Sequence, residues 1–213
     1  MQIGEKLLME YLCSLIESRD FSDPYHCEYV RKFTEIMLEK VMRFCPEYEL
    51  TEKKCEMIAV ASTMHDIGKM MIMDKVLQKP GRLTEDEFEL VKNHTRKGKK
   101  IFDHVLQTVA ADDPDRELFE CCAEVCMYHH ERYDGNGYPE GKKGKEIPIS
   151  AQIVGLVDSY VSLASDRVYK QAYTKEEAFE KIEEGECGVF SPRLIEIFRM
   201  VRMDLEEILE EEK

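Results

Sequence analysis

The chain has 213 residues, 43% of them hydrophobic and 35% charged, which suits one globular domain with its own core. Its net charge of −14 argues against coating a nucleic-acid polymer or docking on anionic lipid, because both partners are anionic themselves. The longest uncharged stretch, residues 147–157, falls far short of the ~20 residues of a membrane span, and Glu5, Lys6 and Glu10 interrupt the run a signal peptide needs.

In chain order the apolar periodicity predicts helices throughout. Residues 3–18 place Leu7, Leu8, Tyr11, Leu12, Leu15 and Ile16 at helical spacing. Residues 25–45 run His26, Val30, Phe33, Met37, Val41, Phe44, and residues 51–66 put Cys55, Ile58, Ser62 and His65 on one face. A capping box, Thr84-x-x-Glu87, opens a helix over 84–105 that carries Phe88, Val91, His94, Gly98 and Val105. Residues 115–130 give Leu118, Cys122, Val125, Cys126 and His129, and residues 149–166 are apolar nearly all round. Thr174-x-x-Glu177 caps a short helix, and Ser191-Pro192 opens the last one. Breaks fall at Cys45-Pro46, Lys79-Pro80-Gly81, Asp112-Asp113-Pro114 and 134–148. With no strand alternation, repeat or Ser/Gly linker, the expectation is one all-α domain. It has a lead-in helix over 1–19, a core over 20–200 and an acidic helix end over 201–213.

The cysteines at 13, 27, 45, 55, 121, 122, 126 and 187 form no C-x-x-C and sit largely inside amphipathic patterns. They read as free thiols of a reducing, cytoplasmic compartment. A Cys122/Cys126 metal pair is open by spacing, but both lie on the apolar face. The 134–148 segment gathers Gly135, Gly137, Gly141 and Gly144 with Lys142, Lys143 and Lys145, and a loop this long between helices is more often functional than not.

The histidines carry the chemistry. His26, His65, His94 and His129 each lie on the apolar face of a different predicted helix, and His130 follows directly. One such imidazole is usually a satisfied core residue. Four are costly to bury separately, and a shared metal would satisfy them together. Asp66 adjoins His65, and Asp158 stands inside the apolar run IVGLVDSYVSLA, where an unpaired carboxylate would cost several kcal/mol. Five imidazoles and two carboxylates exceed one ion's needs, so the set suits two ions of iron, manganese or zinc type.

His65-Asp66-Ile67-Gly68-Lys69 resembles the signature of the HD-domain metal phosphohydrolases, and HHERYDGNGYP over 129–139 resembles the signature loop of their HD-GYP subfamily. The stretches LQKPGRLTEDEFELVKNHTRKG and VDSYVSLASDRVYK are similar to that family too, over roughly residues 20–200. The resemblance implies an all-α HD-domain helical bundle with a dinuclear metal site in its core and a Gly-rich GYP loop. The implied substrate is a cyclic dinucleotide, chiefly cyclic di-GMP, opened by hydroxide at phosphorus with loss of a 3′ oxygen to the linear dinucleotide and then GMP. The implied first metal site is His26, His65, Asp66 and Asp158. Asp66 bridges to a second ion held by His94, His129 and His130, with iron or manganese the expected metals. Lys69 contacts the phosphate or the leaving oxygen, Arg167 and Lys170 reach the other phosphate, and the glycines near Tyr138 let the loop approach the bases.

Two positions depart from the family pattern. Ser22 stands where some members carry a Glu for a third metal, so two ions are expected. Val161 stands where the family has a second Asp, three residues after Asp158. Losing such a partner often costs ~10–100-fold. Alternatives to cyclic di-GMP hydrolysis are therefore hydrolysis of another nucleotide such as cyclic GMP-AMP, or a catalytically weak module that binds the messenger and signals to a partner. Leu8, Leu12 and Leu15 leave packing on the last helix or on a second copy of the chain open.

Overall fold

Three helix ends that the apolar pattern alone does not locate decide where the chemistry sits. In the computed structural model, which describes residues 3–20, 23–165 and 172–211, α1 spans Ile3–Asp20 and α2 spans His26–Phe44. The helix predicted to run through Asp66 ends early, with α3 covering Glu52–Ser62. The Ser62 and Thr63 hydroxyls donate back to the Ala59 and Val60 carbonyls, both at 2.8 Å, a local alternative to continuing the helix. His65 and Asp66 therefore occupy a turn, followed by a 3-10 helix, Ile67–Met71, and the short α4, Asp74–Leu77.

The helix predicted over 84–105 is two helices, α5 (Glu85–Lys92) and α6 (His94–Thr108), broken at Asn93, whose side-chain amide donates to the Glu89 carbonyl at 3.0 Å. The break puts His94 at a helix start. α7 (Arg116–Tyr128) stops one residue before His129. α8 (Ile149–Ala164), α9 (Lys175–Glu183) and α10 (Pro192–Glu211) complete the chain. The capping boxes at Thr84 and Thr174 form as expected. No strand occurs among the described residues, so the domain is all-α.

α7 packs on α3, α6 and α8, while α2 packs on α3, α8 and α10. The α2 stripe Val30, Phe33, Met37 and Val41 is wholly buried, each side chain contributing roughly 1.5–3 kcal/mol by leaving water. Phe44, the last of that series, is exposed at the helix end. Tyr160 of α8 and Phe179 of α9 both pack on Phe198 of α10, with ring centroids 5.2 and 4.7 Å away. On α1, Ile16 is buried, Leu12 half-buried, and Tyr11 and Leu15 exposed. All eight cysteines are free thiols, and Cys122 and Cys126 belong to the apolar core.

Two glycines let backbones touch where the site needs it. A Cβ on Gly68 would lie 1.9 Å from the His94 carbonyl oxygen, so only glycine lets the 3-10 helix abut the start of α6. A Cβ on Gly155 would lie 2.1 Å from the His129 carbonyl oxygen, so α8 reaches the end of α7 by the same means.

Candidate metal centre

Each imidazole enters from a helix end or turn. His26 is the first residue of α2, His94 the first of α6, and His129 the C-cap of α7. His65 and Asp66 come from the turn after α3, and Asp158 from the middle of α8. Three rings are aimed by backbone carbonyls: His65 Nδ1 lies 2.7 Å from Ser62 O, His94 Nδ1 2.7 Å from Val91 O, and His129 Nδ1 2.9 Å from Val125 O. A carbonyl can only accept, so when the ring is neutral Nδ1 carries the proton and the Nε2 lone pair faces inward. This is the usual support of a metal-ligating histidine.

The inward atoms form two groups that share one residue. His26, His65 and Asp66 offer ligand atoms within 4.8 Å of one another, and so do Asp66, His94, His129 and His130. Asp66 Oδ1 lies 3.2 Å from His94 Nε2 and 3.9 Å from His129 Nε2, and Oδ2 lies 3.3 Å from His65 Nε2. Asp158 Oδ1 lies 3.2 Å from His26 Nε2 and 3.6 Å from His65 Nε2, beside the first group. The seven residues picked from the sequence therefore converge.

The residues fit divalent metal ions. Asp66 Oδ1 is buried with no hydrogen-bond partner, a cost of ~1–3 kcal/mol that a cation would remove. His94 Nε2 and His129 Nε2 face each other at 3.4 Å, lone pair to lone pair in the tautomers their backbone bonds select, an arrangement a cation between them would relieve. Mixed imidazole and carboxylate donors suit divalent transition metals.

Electrostatics prepare the ligands. Burial opposes charge on Asp66, but Lys69, His65 and His94 outweigh it and hold the carboxyl well below the usual carboxylate range. Burial likewise opposes charge on Asp158, and His26 and His65 reverse the balance. Burial, then its neighbours His65 and His94, lowers His129 to about 3. Burial also lowers His94 and His130, keeping both neutral. His65 is the exception: burial pulls it down, but Asp66 and Asp158 hold it well above its ordinary value. An ion there would have to displace that proton.

A cavity of about 390 Å³ opens on the centre, lined by Asp66, Lys69, His94, His130, Tyr138 and Asp158 among others. Lys69 Nζ lies 2.6 Å from Asp66 Oδ2. The Tyr138 ring stacks on His130 with centroids 4.7 Å apart and planes 28° apart. The Gly-rich segment is folded by its own first residues. Glu131, buried, accepts from the Glu140 and Lys142 amides at 2.7 and 3.0 Å. Arg132 donates to the carbonyls of Cys187 at 2.8 Å, His129 at 3.1 Å and Glu131 at 2.9 Å, and to Ser159 Oγ at 3.2 Å.

Residue-by-residue reading overlooked Glu131 and Arg132, although both lie within the signature HHERYDGNGYP. It also overlooked Ser162, whose hydroxyl donates to Asp158 Oδ1 at 3.2 Å. Helical i,i+4 spacing from Asp158 was the available signal. Val161 is fully buried in the apolar core, and the next residue, Ser162, is the one that bonds Asp158. Arg167, Lys170 and Ser22 lie outside the described residues.

Helix ends that present imidazole and carboxylate to a shared buried centre define a helical metal-binding domain. The HD domain family matches residues 22–192, and the chain belongs to that family, whose members are metal-dependent hydrolases. The resemblance to HD-GYP proteins read from the sequence is borne out. A cyclic di-GMP phosphodiesterase of Thermotoga maritima is 36% identical over 206 residues, covering 97% of this chain and 52% of that protein. A 3′3′-cGAMP-specific phosphodiesterase of Vibrio cholerae is 31% identical over 192 residues, covering 90% of this chain and 34% of that protein. The chain thus spans about half or less of the length of these relatives. Among solved structures, an HDG"Y"P protein from Bdellovibrio bacteriovorus shares the fold, with a TM-score of 0.59 at 18% identity, covering 87% of this chain and 52% of that one. No helix among the described residues is long and apolar enough to cross a membrane.

Proposed function

We propose that this chain hydrolyses a cyclic dinucleotide, cyclic di-GMP first, to the linear dinucleotide and then GMP, with two divalent ions of iron or manganese. The observation that carries the reading is the sharing of Asp66 between two ligand groups. His26, His65, Asp66 and Asp158 would hold one ion, and Asp66, His94, His129 and His130 the other. Bound there, the ions supply positive charge for a phosphodiester and acidify water.

The chain's own side chains set up the rest. Asp66 and Asp158 stay ionised under burial, so the ligand set keeps two negative charges. Lys69 brings an ammonium to the same cavity, where it meets a phosphate oxygen or the departing 3′ oxygen. Tyr138, stacked on His130, lines the same cavity, where its ring is available to a nucleobase. Arg167 and Lys170 are proposed for the second phosphate on the sequence resemblance alone.

Cyclic GMP-AMP is the second reading, favoured by the relatives named as specific for it. The full set of seven candidate ligands weighs against the weak-binding reading, and Ser162 gives Asp158 a hydrogen-bond partner on its helix face. The test is product analysis. The purified chain is incubated anaerobically with iron(II), and separately with manganese(II), on cyclic di-GMP and on cyclic GMP-AMP, and the products are separated by chromatography. Linear dinucleotide or GMP is expected from cyclic di-GMP. Turnover of cyclic GMP-AMP alone would transfer the assignment to it, and no turnover with two metals bound would overturn the enzyme reading.

A further inference from the structure

Arg132 of the signature segment makes four hydrogen bonds and keeps a fifth donor unused. A guanidinium carries five N–H groups in a fixed fork. Nε donates to the Cys187 carbonyl at 2.8 Å, Nη1 to the His129 and Glu131 carbonyls at 3.1 and 2.9 Å, and Nη2 to Ser159 Oγ at 3.2 Å. One hydrogen on Nη2 is left without an acceptor. The Phe190 ring fixes the plane further, with its centroid 4.8 Å from Arg132 Cζ. Gly188 lets the chain between α9 and α10 lie against the side chain, since a Cβ there would stand 2.6 Å from Arg132 Cδ.

The charge of this side chain is unanswered. All four acceptors are neutral, and among the described residues no carboxylate forms an ion pair with Arg132. The residue is half-buried and lines the cavity of about 390 Å³ over the metal centre, as does Ser159, the partner of Nη2. A cation held rigidly on a cavity wall, with one spare N–H, is suited to an anionic oxygen, because a charge-assisted bond is the strong kind. Its tethers run to α8 one residue past Asp158 and to the turn before α10, whereas Lys69 is bound to the shared ligand Asp66. Lys69 therefore addresses the phosphate at the ions, and Arg132 is free to address another.

We propose that Arg132 is a substrate-contact residue whose spare Nη2–H binds the phosphate of the cyclic dinucleotide that is not cut. The inference rests on the cyclic-dinucleotide reading of the site, because it needs a substrate with two phosphates. No bond is made or broken at Arg132. It supplies one charge-assisted hydrogen bond that fixes how the dinucleotide ring lies over the ions, beside Arg167 and Lys170, which the sequence resemblance assigns to the same phosphate. Such a bond is worth about 10–100-fold in affinity. The uncut phosphate keeps its charge through the reaction, so the contact is equal in the ground and transition states and acts on KM rather than kcat.

Arg132→Met and Arg132→Lys are compared with the unaltered chain, all loaded with manganese, on cyclic di-GMP and on bis(p-nitrophenyl) phosphate, which has a single phosphate. In Arg132→Met the KM for cyclic di-GMP should rise about 10–100-fold more than the KM for the single-phosphate ester. Arg132→Lys, which keeps the charge but not the fork, should recover part of that difference. Equal losses on the two substrates, or equal losses in the two variants, would overturn the proposal, because a role confined to the fold gives both. A second measurement leaves the residue in place, so it decides even where a variant fails to fold. The chain is labelled with heavy nitrogen in its arginines, loaded with diamagnetic zinc and titrated with the phosphorothioate analogue of cyclic di-GMP, the Arg132 signal being assigned by its disappearance on substitution. That Nη signal should shift, and its exchange with water should slow at least ~10-fold, as the analogue saturates the chain. Saturation with the Arg132 signal unmoved would overturn the proposal and leave the hydrolytic reading standing. An unaltered chain that neither binds nor turns over cyclic di-GMP would defeat that reading, and the proposal with it.

Discussion

Gly68→Ala tests whether the two proposed ion sites depend on backbone contact between the 3-10 helix and α6. The added Cβ would lie 1.9 Å from the His94 carbonyl oxygen and 2.5 Å from the Gly98 amide nitrogen, both rigid backbone. Cβ contacts under 3.0 Å essentially never occur, so the two segments must separate by at least about 1.1 Å. Gly68 is not among the positive-φ glycines, so the cost is steric and not conformational. Overpacking of this kind costs ~1–3 kcal/mol, offset by ~0.4–1 kcal/mol from the stiffer unfolded chain. The larger effect falls on the site. Asp66 stands two residues before Gly68, and its Oδ1 must stay 3.2 Å from His94 Nε2 to share an ion. Metal–ligand distances tolerate only ~0.2 Å, and a 1 Å misplacement can cost ~100-fold in rate. The assay is metal content by plasma mass spectrometry alongside turnover and a urea midpoint. The second ion should be lost, turnover should fall about 100-fold, and the midpoint should drop modestly. Gly98→Ala is the milder comparison at the same seam, because its Cβ would meet the Cys126 side chain at 3.0–3.1 Å and the Gly68 amide nitrogen at an ordinary 3.4 Å. Full metal content and wild-type turnover in Gly68→Ala would refute the reasoning.

Three further outcomes are expected. Asp66→Ala should remove both ions, whereas His26→Ala and His130→Ala should remove one each, since each histidine belongs to a single ligand group; equal stoichiometry in all three would defeat the shared-ligand assignment. Ser162→Ala should weaken the first ion ~10–100-fold by freeing Asp158, while Val161→Asp should lower the unfolding free energy by several kcal/mol, because it buries an unpaired carboxylate; metal titration and denaturant curves separate the two. The metal-free chain should lose stability as pH falls from about 6.5 toward 4.5, because His94, His129 and His130 stay neutral when folded but bind protons when unfolded. His65, raised in the fold, contributes with opposite sign only above that window, and Asp66 and Asp158 contribute only below about 3.8, so a midpoint in EDTA that fails to drop at pH 5 would contradict the burial account.

The sequence made the candidate ligands legible because an imidazole on an apolar helix face has few reasons to be there. His26, His94 and His129 announced themselves by periodicity, and Asp158 by standing alone in an apolar run. What the periodicity could not show was the ends of the helices. The stop of α3 depends on Ser62 and Thr63 turning their hydroxyls back on the chain, and the break at Asn93 on one amide bonding to Glu89. Both are local competitions between a side chain and the backbone that leave the apolar pattern unchanged.

Those ends matter more to the site than the helices do. A ligand in a helix interior is held by the packing of a whole face, as Asp158 is. A ligand at a helix end can also use the carbonyls of its own last turn, and His65, His94 and His129 each take one through Nδ1. That bond sets the tautomer and the ring plane at once, before any ion arrives. Gly68 and Gly155 then bring the ends together by removing the one atom that would hold them apart. The same reasoning bears on Val161 and its neighbour. A contact to Asp158 can come from either neighbour on its helix face, three or four residues on, and in this chain the fourth residue, Ser162, makes it.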